Sequence, residues 1–394
     1  MKPRVLVLTS TYPRWDGDVE PAFVHELARR LTASHEVHVL APHYKNASTS
    51  ELMDGVHVHR FRYCLPSYQR LAYQGGMMTN MRHSPWLLLL LPIFLLSQFV
   101  SAFSLVRKHN IDLIHAHWVI PQGLVALVLR YIFRHKVLVV TSHGADVYAL
   151  NGGIWGRLKT WVYDMANAVT VVSQAMADRV SLTVDCKKLL VAPMGVDLES
   201  TFIINRPIEE RVGVVFVGRL VEKKGAGVLL AAFEKLTETN PGLRLTIVGD
   251  GPDKSLLIQQ AIDLGVACSV DFYGAVPNDQ IPVILNQHSI AIVPSIVASS
   301  GDQEGLGLVS IEAMGCGCAV IASDLPAIHD VVDHMNTGLM FEMGNSGALA
   351  DVIRRLVSDD SLRCDLALRG NRMVNERFDW SKAAERYIDL FSRL

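Results

Sequence analysis

The stretch Ser299–Ser323, SSGDQEGLGLVSIEAMGCGCAVIAS, decides the predicted fold, because it joins a polar, glycine-rich loop to a helix and then to an apolar strand. Ile290–Pro294 before it reads as a short buried strand, which the polar run cannot continue. From Leu308 apolar residues recur at helical spacing, which places Glu312 inside a helix and leaves Glu304 in the preceding loop. This layout predicts a ligand site at the start of the helix.

The loop and the helix start offer different groups to a ligand. Free backbone N–H groups and the positive end of the helix dipole suit a phosphate, and the two loop glycines let the backbone approach it closely. Glu312 is placed to accept hydrogen bonds from a ribose diol, and Glu304 to accept them from sugar hydroxyls. A solvated loop with two ordinary surface glutamates is the alternative. The predicted ligand-binding residues here are Gly305, Leu306, Gly307, Leu308 and Glu312.

Glu304 and Glu312, eight positions apart in EGLGLVSIEAM, resemble the E-x7-E signature of the retaining GT-B glycosyltransferases of family 4. The family pattern usually continues with proline where this chain has Ala319, a departure that affects the entry to the next strand more than the site. The resemblance implies a nucleotide-sugar donor, transfer with retention at the anomeric carbon, and no metal or other cofactor.

Length and charge narrow the class of protein. A chain of 394 residues fits two domains of nearly equal size, and half of its residues are apolar. A net charge of −2 argues against a nucleic-acid-binding protein. Six cysteines without a regular framework are typical of reduced thiols in a cytosolic protein. Cys316 and Cys318 have no second ligand pair at zinc spacing, so no metal site is expected. The first residues show no signal peptide, and we expect a cytoplasmic location.

Apolar runs alternate with helical stretches in two sets, which predicts an α/β fold with two Rossmann-like, doubly wound parallel sheets. The family resemblance implies that these two domains form the GT-B architecture. We expect a first, acceptor-side domain at residues 1–200 and a second, nucleotide-sugar-binding domain at residues 208–377. A final helix at residues 378–394 is expected to cross back, as in the GT-B pattern, and the ligands to bind in a cleft at the strand carboxyl ends. The predicted strands are Val5–Ser10, Glu36–Ala41, Val56–Phe61, Leu113–Ala116, Val137–Thr141, Val169–Val172 and Leu189–Ala192, then Val212–Val217, Leu243–Val248, Val270–Tyr273, Ile290–Val293, Ala319–Ala322 and Leu339–Phe341.

The first strand is followed by a glycine loop and a helix, but the G-x-G-x-x-G fingerprint of nicotinamide-binding proteins is absent. Gly17 in this loop is predicted to lie beside the donor. Asp16 and Asp18 spell the D-x-D pattern of metal-dependent glycosyltransferases of another fold. The position of this D-x-D pattern in the loop after the first strand does not suit metal binding. We interpret the two aspartates as ordinary turn residues.

A basic turn opens the second domain. Arg219 can donate two parallel hydrogen bonds to phosphate oxygens, and Lys224 can add a positive point charge. Both interactions would stabilise a leaving nucleoside diphosphate. A solvated basic turn is the alternative, and Lys223 is expected to face solvent. The turn resembles the family element G-R-L-x-x-x-K-G, which begins at Gly218 and assigns the diphosphate role to Arg219 and Lys224. Gly251 belongs to a turn that resembles the family's G-x-G-P element near the nucleotide base.

Histidines mark the corresponding strand ends of the first domain. His143 follows a predicted strand directly, where it can reach a sugar hydroxyl, although a lone histidine is more often structural. The sequence H-G-x-D resembles the family's active-site histidine turn, in which Asp146 would support the turn rather than act as a nucleophile. His117 is predicted to lie near the acceptor or the donor. An equally weighted alternative is that this histidine is packed in the domain for structural reasons. Both Asp146 and His117 are possible acceptor or sugar contacts.

The composition of residues 56–110 bears on whether the protein associates with a membrane. The almost wholly apolar stretch Trp86–Phe103 has cationic flanks and lies between strands of one sheet, so a transmembrane span is rejected. A buried helix and an interfacial helix on an anionic membrane both fit.

The predicted function is therefore that of a retaining hexosyltransferase that moves a sugar from a UDP- or GDP-linked donor to a lipid-linked or saccharide acceptor in cell-surface glycan synthesis. A GT-B nucleotide-sugar epimerase and a non-catalytic nucleotide-sugar-binding protein are the alternatives. The predicted catalytic residues are His143, Arg219, Lys224 and Glu304.

Overall fold

The computed structural model describes residues 2–18, 20–73, 76–148, 152–237 and 239–394. The chain forms two compact units. The first domain comprises Met1–Gly195 together with Ser381–Leu394, and the second domain comprises Val196–Trp380. Residues 196–211, which lead into the second sheet, are packed within the second domain, where the buried Arg211 guanidinium donates to the backbone oxygen of Cys316 at 2.6 Å.

The first domain is built on a sheet of eight strands in the order β3-β4-β2-β1-β5-β6-β7-β8. Its central strands are apolar and buried on both faces, as expected of parallel strands covered by helices. The strands are β1 (Arg4–Leu8), β2 (Glu36–Pro42), β3 (Ser50–Met53), β4 (Val56–Phe61), β5 (Leu113–His117), β6 (Val137–Ser142), β7 (Ala168–Val171) and β8 (Leu189–Val191).

Strand β3 is the element that the sequence pattern did not predict. It pairs antiparallel with β4, and its side chains alternate between exposed and half-buried positions. Asp54 and Gly55 connect the two strands, both with positive φ. An Asp-Gly pair is a strong hairpin signal, but an edge strand that faces solvent lacks the apolar run that marked the other strands.

Helices connect the strands of the first domain, and the order places the switch point between β1 and β5. The apolar stretch between β4 and β5 forms a 3-10 turn at Pro85–Leu90 and then an α-helix. The helices are α1 (Phe23–Leu31), α2 (Met77–His83), α3 (Leu91–Lys108), α4 (Gln122–Ile132), α5 (Ala145–Tyr148), α6 (Gly153–Met165) and α7 (Gln174–Val180).

The second domain has six parallel strands in the order β11-β10-β9-β12-β13-β14. Its switch point lies between β9 and β12, so the loops that follow these two strands emerge side by side. The strands are β9 (Val214–Val217), β10 (Leu245–Val248), β11 (Val270–Gly274), β12 (Ile290–Val293), β13 (Ala319–Ser323) and β14 (Leu339–Phe341). The helices are α8 (Ala226–Thr237), α9 (Lys254–Asp263), α10 (Ile281–Leu285), α11 (Leu308–Gly315), α12 (Ser346–Ser358) and α13 (Asp360–Arg377).

The last helix, α14 (Trp380–Ser392), completes the core of the first domain. The ring of Phe391 lies 5.5 Å from that of His115 on β5 and 5.7 Å from that of His35. Tyr387 is fully buried, and its ring lies 5.5 Å from that of His115. The C-terminal segment is therefore part of the first domain's packing.

Phe391→Ala should destabilise the first domain by about 3 kcal/mol, because it leaves a cavity among buried rings. Thermal unfolding followed by circular dichroism measures this loss. Leu394→Ala, three residues further along the chain at a 42% exposed side chain, is the matched control. Equal melting temperatures for the two variants would contradict the packing role of α14.

Candidate active site

Two loops meet at the switch point of the second domain. The first loop follows β9 and carries Glu222, Lys223 and Lys224, which form one turn of 3-10 helix. Each of these three residues bonds to the second loop, which follows β12. The contacts are Glu222 Oε1 to the N–H of Ser299 at 2.8 Å, Lys223 Nζ to Asp302 at 3.1 Å, and Lys224 Nζ to Glu304 at 2.6 Å. Lys223 is thus ion-paired and part-buried rather than solvent-facing, because the second loop covers it.

Gly225 allows this close approach. Its φ is +68°, and a Cβ atom built there would lie 1.8 Å from the backbone oxygen of Pro294. No side chain fits at that distance, so the two loops touch backbone to backbone. Gly225, the last residue of the family-like K-G element, is therefore required by the close packing of the two loops.

Lys224 and Glu304 form the central ion pair of the site, with 19% and 14% of their side chains exposed. Burial by itself would raise the pKa of Glu304. The charges of Lys224 and Lys223, and hydrogen bonds from Lys224 and from the Gly305 N–H, outweigh burial and lower this pKa to about 2. Glu304 is therefore a fixed anion, suited to accept hydrogen bonds and unsuited to donate a proton.

Glu312 has the opposite electrostatic environment. It lies in α11, and burial raises its pKa to about 7 against the opposing charge of Lys224. Gly307 begins that helix in the left-handed region, and a Cβ there would lie 2.6 Å from Ile328 Cδ1. Gly305 and Leu306 are buried in the same loop, and Leu308 is the first residue of the helix. At a pH near its pKa, a carboxyl group is readily shifted to its ionised form by a hydroxyl group that donates a hydrogen bond to it.

The other predicted donor residues line the neighbouring strand ends. The N–H of Gly218 donates to Val248 O at 2.9 Å, and Arg219 follows it in the half-buried turn after β9. Gly251 lies after β10, and a Cβ there would lie 2.3 Å from Leu220 O. The second domain thus brings together Gly218, Arg219, Lys224, Gly251, Glu304, Gly305, Leu306, Gly307, Leu308 and Glu312.

The first domain has a histidine site at the ends of β5 and β6. His117 Nδ1 lies 2.9 Å from His143 Nε2, and the two rings are stacked with centroids 5.1 Å apart. Burial lowers the pKa of His143 to about 3 and that of His117 well below its usual value. Both rings are neutral at physiological pH. They can exchange hydrogen bonds with hydroxyl groups, but they do not carry a charge.

Asp146 holds the turn that presents His143. Its carboxylate accepts hydrogen bonds from the backbone N–H groups of Val119 at 2.9 Å, His143 at 3.0 Å and Gly144 at 3.2 Å. Burial raises its pKa, and these bonds oppose the rise. Three backbone donors occupy the carboxylate, which gives Asp146 a positioning role.

Two aromatic residues at this site have no clear signal in the sequence. Phe23 and Trp118 place their rings 5.0 Å and 4.9 Å from the ring of His143. Trp118 has a φ of +73°, a strained conformation for an aromatic residue. Such strain is concentrated at functional sites, but it is invisible before the backbone is known. The adjacent His117 was the only available hint.

Gly17 lies in an exposed turn after β1, with a φ of +72°. Asp18 beside it accepts from the backbone N–H of Arg14 at 2.8 Å and from Arg14 Nε at 2.7 Å. The guanidinium in turn lies 4.6 Å from the ring centres of Trp15 and Tyr44. The D-x-D residues therefore serve the turn, with Asp18 committed to Arg14 and Asp16 exposed.

Two doubly wound sheet domains, the second with loops at its switch point that suit a phosphate, define the class of fold of this chain. Solved structures share this fold at low identity. Sucrose-phosphate synthase from Thermosynechococcus elongatus matches with a TM-score of 0.79 at 21% identity, covering 100% of this chain and 99% of that one. Anabaena HepE in complex with UDP matches with a TM-score of 0.72 at 19% identity, covering all of both chains.

Family profiles agree with the fold. The profile "Glycosyltransferase Family 4" matches residues 22–200, and "Glycosyl transferases group 1" matches residues 199–373. The chain belongs to this glycosyltransferase family and has the GT-B fold. One relative is the GDP-mannose-dependent alpha-(1-6)-phosphatidylinositol monomannoside mannosyltransferase of Mycobacterium tuberculosis, 27% identical over 98% of this chain and 97% of its own length. Another is the N-acetyl-alpha-D-glucosaminyl L-malate synthase of Bacillus anthracis, 23% identical over 73% of this chain and 76% of its own length.

The predicted ribose-binding role of Glu312 implies that affinity for a nucleotide sugar should rise about tenfold between about pH 6 and about pH 8, because Glu312, with a pKa of about 7, ionises over this range and would then accept from both ribose hydroxyls. Calorimetric titration with an intact nucleotide sugar, whose diphosphate does not titrate there, measures this. Glu304 and His143 titrate far below that range. Glu312→Gln should bind more weakly with a flat pH profile; an unchanged slope in that variant would refute the assignment.

Proposed function

We propose that this protein is a retaining hexosyltransferase that uses a UDP- or GDP-linked sugar and acts on a lipid-linked or saccharide acceptor. The observation that carries the proposal is the Lys224–Glu304 ion pair at 2.6 Å, set beside the glycine-rich start of α11 and the half-buried Glu312. A cation, free helix N–H groups and two carboxylates with different pKa values match the parts of a nucleotide sugar.

Each charged residue has a separate role in the proposal. Arg219 and Lys224 bind the diphosphate and stabilise the charge that develops on it as the sugar departs. Glu312 accepts from the ribose, and Glu304 accepts from sugar hydroxyls. His143 offers a neutral hydrogen bond to a sugar hydroxyl. Retention with same-face attack leaves proton removal to the departing phosphate, so the protein contributes position and electrostatics.

A donor panel tests the proposal directly. GDP-mannose leads the panel because a full-length relative uses it, and UDP-glucose and ADP-glucose follow. Thermal shift reports binding, and release of the nucleoside diphosphate without acceptor reports slow hydrolysis. Stabilisation by one donor with its hydrolysis supports a transferase. Conversion of the donor to an epimer would favour the epimerase, and binding without any turnover the non-catalytic protein.

Lys224→Ala and Glu304→Ala should each lower donor hydrolysis and transfer by about a hundredfold or more, because each removes an interaction with the reacting groups. Circular dichroism should show that both variants remain folded. Lys235→Ala, at an exposed lysine of α8, is the control and should retain full rate. Full activity in either site variant would remove that residue from the mechanism.

We further propose that the first domain docks on an anionic membrane through the apolar stretch before β5. Pro85–Lys108 is long and apolar enough to span a bilayer, and its apolar 18-residue window has a mean hydropathy of 2.1, yet only 28% of that window is buried. A core helix would be mostly buried, so the interfacial interpretation is favoured over the buried one. The exposed apolar side chains are those of Trp86, Leu88, Leu89, Ile93, Leu96 and Val100.

The pattern of exposure matches a surface helix. Leu89, Ile93, Leu96 and Val100 recur every three or four residues and share one face. Cations lie at both ends of the segment, namely Arg82 before it and Arg107 and Lys108 at its end. Basic flanks around an apolar face favour anionic headgroups. An acceptor anchored in the same membrane would then be within reach of the enzyme.

Flotation with phosphatidylglycerol-containing vesicles at low salt should recover the wild-type chain in the lipid fraction. Leu89→Ser combined with Leu96→Ser should reduce the bound fraction severalfold, because it removes two side chains from the docking face. Leu256→Ser, at a 71% exposed leucine of the second domain, is the matched control. Equal flotation of both variants, or none by the wild type, would contradict docking through this face.

A further inference from the structure

A cluster of four histidines lies in the first domain away from the predicted active site. His38 on β2 pairs in register with His57 on the neighbouring β4, His59 lies two residues further along β4, and His109 follows α3. The ring centre of His38 lies 4.3 Å from that of His109 and 5.5 Å from that of His59. His38 and His57 lie near the amino ends of β2 and β4, whereas His117 lies at the carboxyl end of β5.

Three of these rings point ligand atoms at one another. One nitrogen each from His38, His59 and His109 lies within 4.8 Å of the others. His38 Nδ1 and His59 Nε2 are 3.2 Å apart. Two imidazole nitrogens on one tetrahedral Zn²⁺, each about 2.05 Å from the metal, are separated by about 3.3 Å. The separation of these two nitrogens matches that of two ligands on one ion.

Neighbouring groups orient the rings. Glu36 Oε1 lies 3.1 Å from His38 Nε2, so this nitrogen carries the proton and Nδ1 is left with a free lone pair. The second Glu36 oxygen accepts from Arg4 Nε at 3.1 Å, which fixes the carboxylate. A carboxylate behind a histidine is the usual outer support of a metal ligand. His109 Nε2 is buried and has no hydrogen-bond partner among the described residues.

The surrounding charges bear on whether a cation can bind at these rings. Arg4 and Lys108 are the nearby cations that oppose a metal ion. The charge of Arg4 is compensated by its bond to Glu36, and Lys108 extends into solvent.

We propose that His38, His59 and His109 form a binding site for a divalent transition metal of the zinc type. The three imidazoles supply three ligands, and water completes the coordination. Because His109 directly follows α3, a bound ion would join the end of this helix to β2 and β4 and stiffen the support of the apolar face. The site is structural or regulatory, and it does not depend on the proposed transfer reaction.

Titration of the full chain, without an affinity tag and after removal of metals with a chelator, tests the proposal. Zn²⁺ should bind one to one by calorimetry and raise the melting temperature. Co²⁺ should give the visible absorption bands of a low-coordinate nitrogen site. His59→Gln and His109→Gln should each weaken Zn²⁺ binding at least tenfold and abolish the Co²⁺ bands. His135→Gln, at an exposed histidine of the same domain, is the matched control.

The outcomes separate the site from adventitious binding and from misfolding. Equal melting temperatures of the metal-free variants and wild type would show that the variants fold, and loss of binding then supports the site. Zn²⁺ binding that is unchanged in His59→Gln and His109→Gln, or no binding by the wild type, would overturn the proposal. Donor hydrolysis by the metal-free chain is a separate readout, so failure of the metal site leaves the proposed transfer function unaffected.

Discussion

The arrangement of the second domain's site depends on the ion pair between Lys224 and Glu304. Two loops from different strands carry these residues, and their 2.6 Å contact is largely withdrawn from water. Removing one partner from such a pair leaves a partly buried charge without compensation. The pair therefore fixes the two loops relative to each other and holds Glu304 as an anion. A diphosphate that approached Lys224 would share this cation with Glu304, so one lysine couples the phosphate contact to the sugar contact.

The two acids of the site show how one motif supplies two chemical states. Glu304 and Glu312 are eight residues apart, but only Glu304 bonds to a lysine and to a backbone N–H. Burial without such partners raises the pKa of Glu312 to about 7. One carboxylate is a permanent acceptor, whereas the other changes its charge near neutral pH. Sequence spacing alone could assign them to a loop and a helix, but it could not assign their ionisation.

Much of the fold was predictable because buried parallel strands are continuous apolar runs. The predicted strands correspond to observed ones with ends that differ by a few residues, as Val5–Ser10 does to Arg4–Leu8. Strand β3 was missed because an exposed edge strand lacks this run. The apolar stretch before β5 allowed two interpretations, since composition does not tell whether an apolar face is covered.

The side-chain contacts were harder to predict. The sequence pattern indicates a surface position for Lys223. Its ion pair with Asp302 forms because the loop after β12 folds over it, which the sequence pattern does not show. The three proposed metal ligands, His38, His59 and His109, are 21 to 71 positions apart on β2, β4 and the end of α3, a spacing that matches no metal motif. The strained Trp118 beside His143 is likewise a property of the folded backbone. Local pattern gives elements and loops, whereas the partners of a charge follow from tertiary structure.

Hydrogen–deuterium exchange with and without a nucleoside diphosphate tests the central claim most directly, since it locates the ligand without requiring the acceptor. The account predicts slower exchange in the segments that contain Gly218–Ala226, Gly251 and Gly305–Glu312, with little change in the rest of the second domain. Protection confined to other segments, by a nucleoside diphosphate that demonstrably binds, would contradict the assignment of the donor site.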